Sequence, residues 1–359
     1  MKISELKDRQ SAKVIDRFSR VVDRIQSTED RIRQRIHAME MGRFSESMTP
    51  KAIIPEPKEI TDLFLAERVL GPTNDILSIE FLEEGLIAKR PVGRIRHRGG
   101  SFGTGFLVGQ GLVMTAAHVL PTDADAAAAV FEMDAEEQQI GGVRAQSVYH
   151  LHPQKFYFVD HDYDVAIVAA EDFSRQLAPL ESYGWFVLDG WEEKISPPAP
   201  ISIIQHPRGQ LKKLVVHNSR FIQCGAEAED DRYCWYTGDT EPGSSGAPVF
   251  DPQWNLLALH HRAVPKTNER GELVDAAGEV IRMRASEVES MDDLHNNKEV
   301  VFIANQGVRK SRIFKMLENS QLDLPAHEEI RKQLLDFWQK PGCQAMARGA
   351  AIENLFRKV

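Results

Sequence analysis

From Val92 to about residue 310 the chain is a succession of short apolar runs, each bounded by glycine or polar residues, and this pattern limits the fold more than any other feature. Phe106-Leu107-Val108, Leu112-Val113-Met114, Val165-Ala166-Ile167-Val168, Ile201-Ser202-Ile203-Ile204, Leu214-Val215-Val216 and Leu256-Leu257-Ala258-Leu259 are too short for helices. They suit strands, and many short strands with turn signals between them predict an all-β sandwich or barrel.

The flanks read differently. In residues 1–42, Ile15, Phe18, Val22, Ile25, Ile32, Ile36 and Met39 recur at three- and four-residue steps, with Glu29 in one apolar place. That is a short heptad seam, suited to an amphipathic helix lying on its own domain or to a coiled coil with a second chain or a regulatory partner. Residues 43–91 read as a linker rich in Ser and Pro, followed by two short helical patterns, the second over Ile79 to Lys89. A domain over 92–310 comes next. Within 311–359 the pattern is helical again, with Ile313, Met316 and Leu317 on one face and Ile330, Leu334, Leu335, Phe337 and Trp338 on another. From Pro341 on, a loosely held tail is expected.

Composition narrows the function classes. A net charge of -9 disfavours nucleic acid as the main partner. The short basic run Arg94-Ile95-Arg96-His97-Arg98 reads as a solvated strand edge. No stretch has the ~20 consecutive apolar residues of a membrane helix, and the charged N-terminus carries no apolar leader. Three cysteines, Cys224, Cys234 and Cys343, fit a reducing compartment, so a cytoplasmic location is expected, with Cys224 and Cys234 free unless facing strands bring them together. His150, His152, Asp160, His161 and Asp162 lack the spacing of a known metal site, and no metal or other cofactor is expected.

The chemistry concentrates in three segments. Glu241-Pro242-Gly243-Ser244-Ser245-Gly246-Ala247-Pro248-Val249 places a serine between glycines, in a turn whose Gly243 and Ser245 N–H groups can converge on one oxyanion. A serine hydroxyl is a weak nucleophile and needs a base, ordinarily a histidine oriented by a carboxylate. Leu112-Val113-Met114-Thr115-Ala116-Ala117-His118 delivers His118 at the end of a strand, and Asp162-Tyr163-Asp164-Val165-Ala166-Ile167-Val168 places Asp164 at the start of another. Asp160 and Asp162 compete with Asp164, but Asp164 directly abuts the strand.

In these three contexts, and in their order His, Asp, Ser, the chain resembles the trypsin-like serine peptidases over roughly residues 92 to 310. The serine segment is similar to the bacterial branch, that of glutamyl endopeptidases and HtrA-type proteases. The resemblance implies a mostly β fold of two six-stranded antiparallel barrels with the site in the cleft between them. It also implies a His118–Asp164–Ser245 triad acting on protein substrates without a cofactor. Ser244 stands where the digestive enzymes carry the aspartate that receives a new N-terminal amine, so a partner or ligand is the expected switch. No PDZ-like segment is visible. The turn at His206-Pro207-Arg208-Gly209 is read as structural.

Substrate preference stays open. Asp239, six residues before Ser245, stands where a pocket carboxylate would select Lys or Arg, and it tips the expectation toward a basic P1 residue. His260, with Thr240 as a hydroxyl donor, would instead suit an acidic P1 residue. A non-catalytic adaptor of the same fold, binding through its helical ends, is the rival reading, and an esterase the third.

Overall fold

The computed structural model describes residues 77–138, 141–225, 231–268, 270, 272–282, 294 and 297–356. The heptad seam, the linker and the first short helical pattern lie outside the described residues. Two antiparallel sheets of seven strands form the frame of the described part. The first holds β1 (Val92–His97), β2 (Phe102–Gly109), β3 (Leu112–Thr115), β4 (Ala129–Met133), β5 (Ser147–His150), β6 (Tyr157–Asp160) and β7 (Val165–Ala169), in the spatial order β5-β4-β1-β2-β3-β7-β6. The second holds β8 (Ser202–Gln205), β9 (Lys213–Val215), β10 (Phe221–Cys224), β11 (Tyr233–Tyr236), β12 (Pro248–Phe250), β13 (Leu256–Pro265) and β14 (Phe302–Arg309), in the order β10-β11-β14-β13-β12-β8-β9. The count is therefore seven strands per sheet where the resemblance implies six. Short edge strands such as β6 and β9, each hairpin-paired to a neighbour, contribute to it.

Continuous apolar strands need cover on both faces. Every residue of β3 and β7 is buried, and Ile313, Leu317, Leu334 and Trp338 of the C-terminal helices join the same apolar core. Five α-helices have described bounds: α1 (Glu80–Ala88), α2 (Asp123–Ala128), α3 (Lys310–Asn319), α4 (Pro325–Gln339) and α5 (Cys343–Phe356). Ile313, Phe314, Met316 and Leu317 form the buried stripe of α3, and Leu334, Leu335 and Trp338 that of α4. The Trp338 indole donates to the Val108 carbonyl of β2 at 2.8 Å, so α4 is docked on the first sheet by a polar bond as well as by area. Truncating such a buried tryptophan to alanine costs about 3–5 kcal/mol.

The loosely held tail expected from Pro341 on is instead helix α5. Ala347 and Ala351 are buried, and the Ala347 carbonyl accepts from the Trp185 N–H at 3.2 Å. Small side chains let the helix approach the backbone closely, a mode of packing that a search for large apolar residues does not detect. On the other side, the Trp254 indole donates to the Phe81 carbonyl at 2.8 Å and fixes α1 against the second sheet. Cys224 and Cys234 are register partners on β10 and β11, and both are free thiols, with burial pushing Cys224 up to about 12. No helix among the described residues is long and apolar enough to cross a membrane.

Candidate active site

Strand β3 ends at Thr115, and the chain turns over Ala116 and Ala117 to present His118 with its side chain 46% exposed. Asp164 precedes β7 and is buried, with a φ of +55°. That left-handed conformation is sparse for non-glycine residues, though aspartate tolerates it better than most. It aims the carboxylate at the histidine. Asp164 Oδ2 lies 2.8 Å from His118 Nδ1, and Oδ1 accepts from the His118 backbone N–H at 2.9 Å. Burial by itself would raise the carboxylate, but the charge and hydrogen bond of His118, with those of His261, hold it well below its ordinary range. The competing aspartates are elsewhere: Asp160 accepts from the Tyr163 N–H at 2.8 Å, and Asp162 is exposed.

The serine turn is clamped between the sheets. Thr104 on β2 donates its N–H to the Ser245 carbonyl at 2.9 Å and its hydroxyl to the Gly243 carbonyl at 2.8 Å. From the other side, the Gly246 N–H donates to the His260 carbonyl at 2.7 Å, and the His260 N–H donates to the Ala247 carbonyl at 2.8 Å. A β-carbon on Gly246, which has φ +87°, would lie 2.1 Å from the Thr104 carbonyl oxygen and 3.1 Å from the Ala116 nitrogen. Only glycine permits this approach, and it seats the turn against the segment that leads to His118.

Within the turn the two serines differ. Ser244 is fully buried and its hydroxyl accepts from the Glu241 N–H at 3.1 Å, whereas Ser245 is half-exposed. The Pro242 carbonyl accepts from the Arg208 N–H at 2.5 Å, and the Ser244 carbonyl accepts from the Ala247 N–H at 3.0 Å. In a trans peptide the N–H points opposite the carbonyl. The N–H groups of Gly243 and Ser245 are thereby directed away from these contacts, and among the described residues neither has a hydrogen-bond partner.

The His206-Pro207-Arg208-Gly209 turn supports this arrangement. A β-carbon on Gly243 would lie 2.8 Å from the His206 carbonyl oxygen, so the two turns are in close contact. His206 donates its N–H to Thr104 Oγ1 at 3.0 Å, and its Nδ1 lies 3.0 Å from the Gln210 carbonyl. Burial, aided by the nearby Lys212 charge, pushes its imidazole down to about 3.

The specificity candidates separate. Asp239 is exposed, with its backbone carbonyl accepting from Gln205 Nε2 at 2.9 Å, so it does not form the floor of a buried pocket as expected. It lies in the irregular segment that follows β11. Thr240 donates to Asn305 Oδ1 at 2.8 Å, and His260 is buried with Nδ1 2.9 Å from the Tyr236 hydroxyl.

Two contributors escape a reading of the sequence. Thr104 shows there only as part of Gly103-Thr104-Gly105. His261 reads as a neighbour of His260, yet its Nδ1 lies 3.0 Å from Asp164 Oδ2. Both histidines are buried because both faces of β13 are covered, His260 meeting Tyr236 on one face and His261 stacking on Tyr233 on the other.

Residues 103–259 match the trypsin-like peptidase domain model. The uncharacterized protein y4fB of Sinorhizobium fredii is 31% identical over 290 residues, covering 77% of this chain and 42% of that protein. The chain thus spans about two fifths of the length of that curated relative. The Rv3671c protease of M. tuberculosis in its inactive form is similar at 16% identity and a TM-score of 0.39, over 67% of this chain and 95% of that one. Deg5 is similar at 18% identity and a TM-score of 0.37, over 52% of this chain and 88% of that one.

Proposed function

We propose that this protein is a serine endopeptidase in which His118, Asp164 and Ser245 form the catalytic triad. The observation that carries the reading is the bond from His118 Nδ1 to a buried Asp164 carboxylate at 2.8 Å, together with a serine turn whose Gly243 and Ser245 N–H groups have no partner among the described residues.

In this reading His118 Nε2 takes the Ser245 proton as Oγ attacks the peptide carbonyl. Asp164 holds the Nδ1–H tautomer and stabilises the imidazolium that forms. The Gly243 and Ser245 N–H groups receive the oxyanion, a role worth about 3–4 kcal/mol per donor in enzymes of this type. Proton return from His118 expels the amine, and water then hydrolyses the acyl-enzyme by the same steps. The depressed Asp164 keeps the carboxylate ionised throughout the range in which His118 must act as a base. His260, Tyr236, Thr240 and Asn305 are better placed than the exposed Asp239 to line a substrate pocket.

Two further parts of the reading rest on the sequence. The few cysteines support action inside the cell. Ser244 in place of an amine-receiving aspartate, together with the heptad seam in residues 1–42, supports control by a partner protein or a second copy.

Intact-mass detection of a fluorophosphonate adduct, run beside Ser245→Ala, tests the chemistry. One adduct on the wild type and none on the variant is the expected result. An adduct on both, or on neither in well-folded protein with its N-terminal segment intact and removed, would sink it.

A further inference from the structure

Asp164 has a second imidazole. His261 Nδ1 lies 3.0 Å from Asp164 Oδ2, while its Nε2 lies 2.7 Å from Gln306 Oε1 on β14. The ring is buried and stacked on Tyr233, with centroids 5.3 Å apart and planes 3° from parallel. Three protonation arrangements are conceivable. With the proton on Nε2, that nitrogen would donate to Gln306 Oε1 and the Nδ1 lone pair would accept from Arg262 Nε at 3.2 Å. That lone pair would also face an ionised carboxylate at 3.0 Å, which is repulsive. With both nitrogens protonated, the ring would be a buried cation beside the Arg262 guanidinium, whose Nε lies 3.2 Å away. Burial and that neighbouring charge oppose this, lowering the imidazole to about 4.

The remaining arrangement is neutral, with the proton on Nδ1. It requires Nε2 to accept, and Gln306 meets that need once its amide is turned so that the NH₂ group faces the ring. Amide oxygen and nitrogen are nearly the same size, so the turn leaves the packing unchanged. The Arg262 contact to Nδ1 is then given up, and its guanidinium faces Asp164 Oδ2, 3.7 Å away.

Resting on the peptidase reading above, we propose that His261 is a positioning residue for the triad: Gln306 donates to its Nε2 and thereby fixes the Nδ1–H tautomer, which donates to Asp164 Oδ2. The carboxylate then receives the His118 backbone N–H at Oδ1 and the two imidazole Nδ1–H groups of His118 and His261. It cannot rotate without breaking one of them. The β13 register shift after His260 lets the next residue, Arg262, reach the same carboxylate as His261.

The test has two readouts. In protein labelled with ¹⁵N-histidine, with the His261 signals assigned by their loss in His261→Asn, the wild type should show a neutral Nδ1–H tautomer near neutral pH. Gln306→Glu, whose carboxylate can only accept, should protonate Nε2. The second readout is the rate of fluorophosphonate labelling at Ser245. His261→Ala should slow it roughly 10- to 100-fold, the loss expected for a hydrogen bond to a buried charge. His261→Asn, whose Nδ2 is bonded to Cγ as Nδ1 is, should stay within about threefold of wild type, while His261→Gln should not. An Nε2–H or doubly protonated wild-type ring overturns the proposal. So does wild-type labelling in His261→Ala, or equal loss in the Asn and Gln variants. A wild type that takes no label overturns the peptidase reading instead, and the nitrogen shifts alone then decide whether His261 donates to Asp164.

Discussion

Asp164 and Asp239 are both aspartates in segments that the sequence marks for function, and the structure treats them in opposite ways. Asp164 is buried, held in a left-handed backbone conformation, and contacted by His118 through both ring and backbone and by His261. Asp239 sits exposed in the irregular segment after β11. The difference is one of support. A carboxylate placed by a strand start and two facing imidazoles has a fixed position, whereas one placed by its offset from a serine depends on how the intervening loop runs.

The comparison can be broken most decisively at Asp164. Asp164→Asn should lower the labelling rate or kcat/KM by about 10⁴-fold, because the amide favours the wrong His118 tautomer. A loss below about tenfold would remove Asp164 from the triad. Next in size is Gly246→Ala. Its β-carbon would meet the Thr104 carbonyl at 2.1 Å in a left-handed backbone, and a stability loss of roughly 3 kcal/mol or more is expected by urea denaturation. Unchanged stability would mean that the serine turn is not clamped as described.

The acid limb gives a third check. His206 and His261 have folded values lowered to about 3 and about 4, below an unfolded value near 6.5. The unfolded chain therefore binds their protons first as pH falls. Their stabilising contribution is fully present above pH ~6.5 and is lost between there and pH ~4, with His206 continuing lower. Each should add a slope of about 1.4 kcal/mol per pH unit. His206→Asn should remove one such slope, and an unaltered pH dependence would contradict the buried neutral ring. Asp164, being depressed, loses its own contribution only at more acid pH. The smallest effect is expected at Asp239. Asp239→Asn should change kcat/KM on Lys or Arg substrates less than about twofold, in line with other surface substitutions. A loss of roughly a hundredfold would return it to the pocket.

The sequence is informative where local chemistry and local geometry coincide. His118 and Asp164 each adjoin an unbroken apolar strand, so their placement follows from the strand ends, and the glycines around Ser245 mark the turn. What it hides is long-range or compensatory. The Thr104 bridge joins residues more than a hundred positions apart, and nothing near Thr104 announces it. Strand alternation puts His260 and His261 on opposite faces, against Tyr236 and Tyr233 respectively, and a single sequence does not show that both faces of β13 are covered. Helix α5 reads as a tail because its packing surface is alanine rather than leucine.

The segment matching the peptidase model, residues 103–259, is not a piece that could be cut out and kept. It excludes β1, which lies between β4 and β2, and β14, which lies between β11 and β13. Excision would split both sheets through an inner strand, leaving β10–β11 detached from β13-β12-β8-β9. Residue 310 begins α3 with no loop after β14, so the helices are spliced onto the very strand that carries Gln306. The recognisable unit and the folding unit are different objects here, and an expression fragment drawn to the former would lose the backbone that completes the latter.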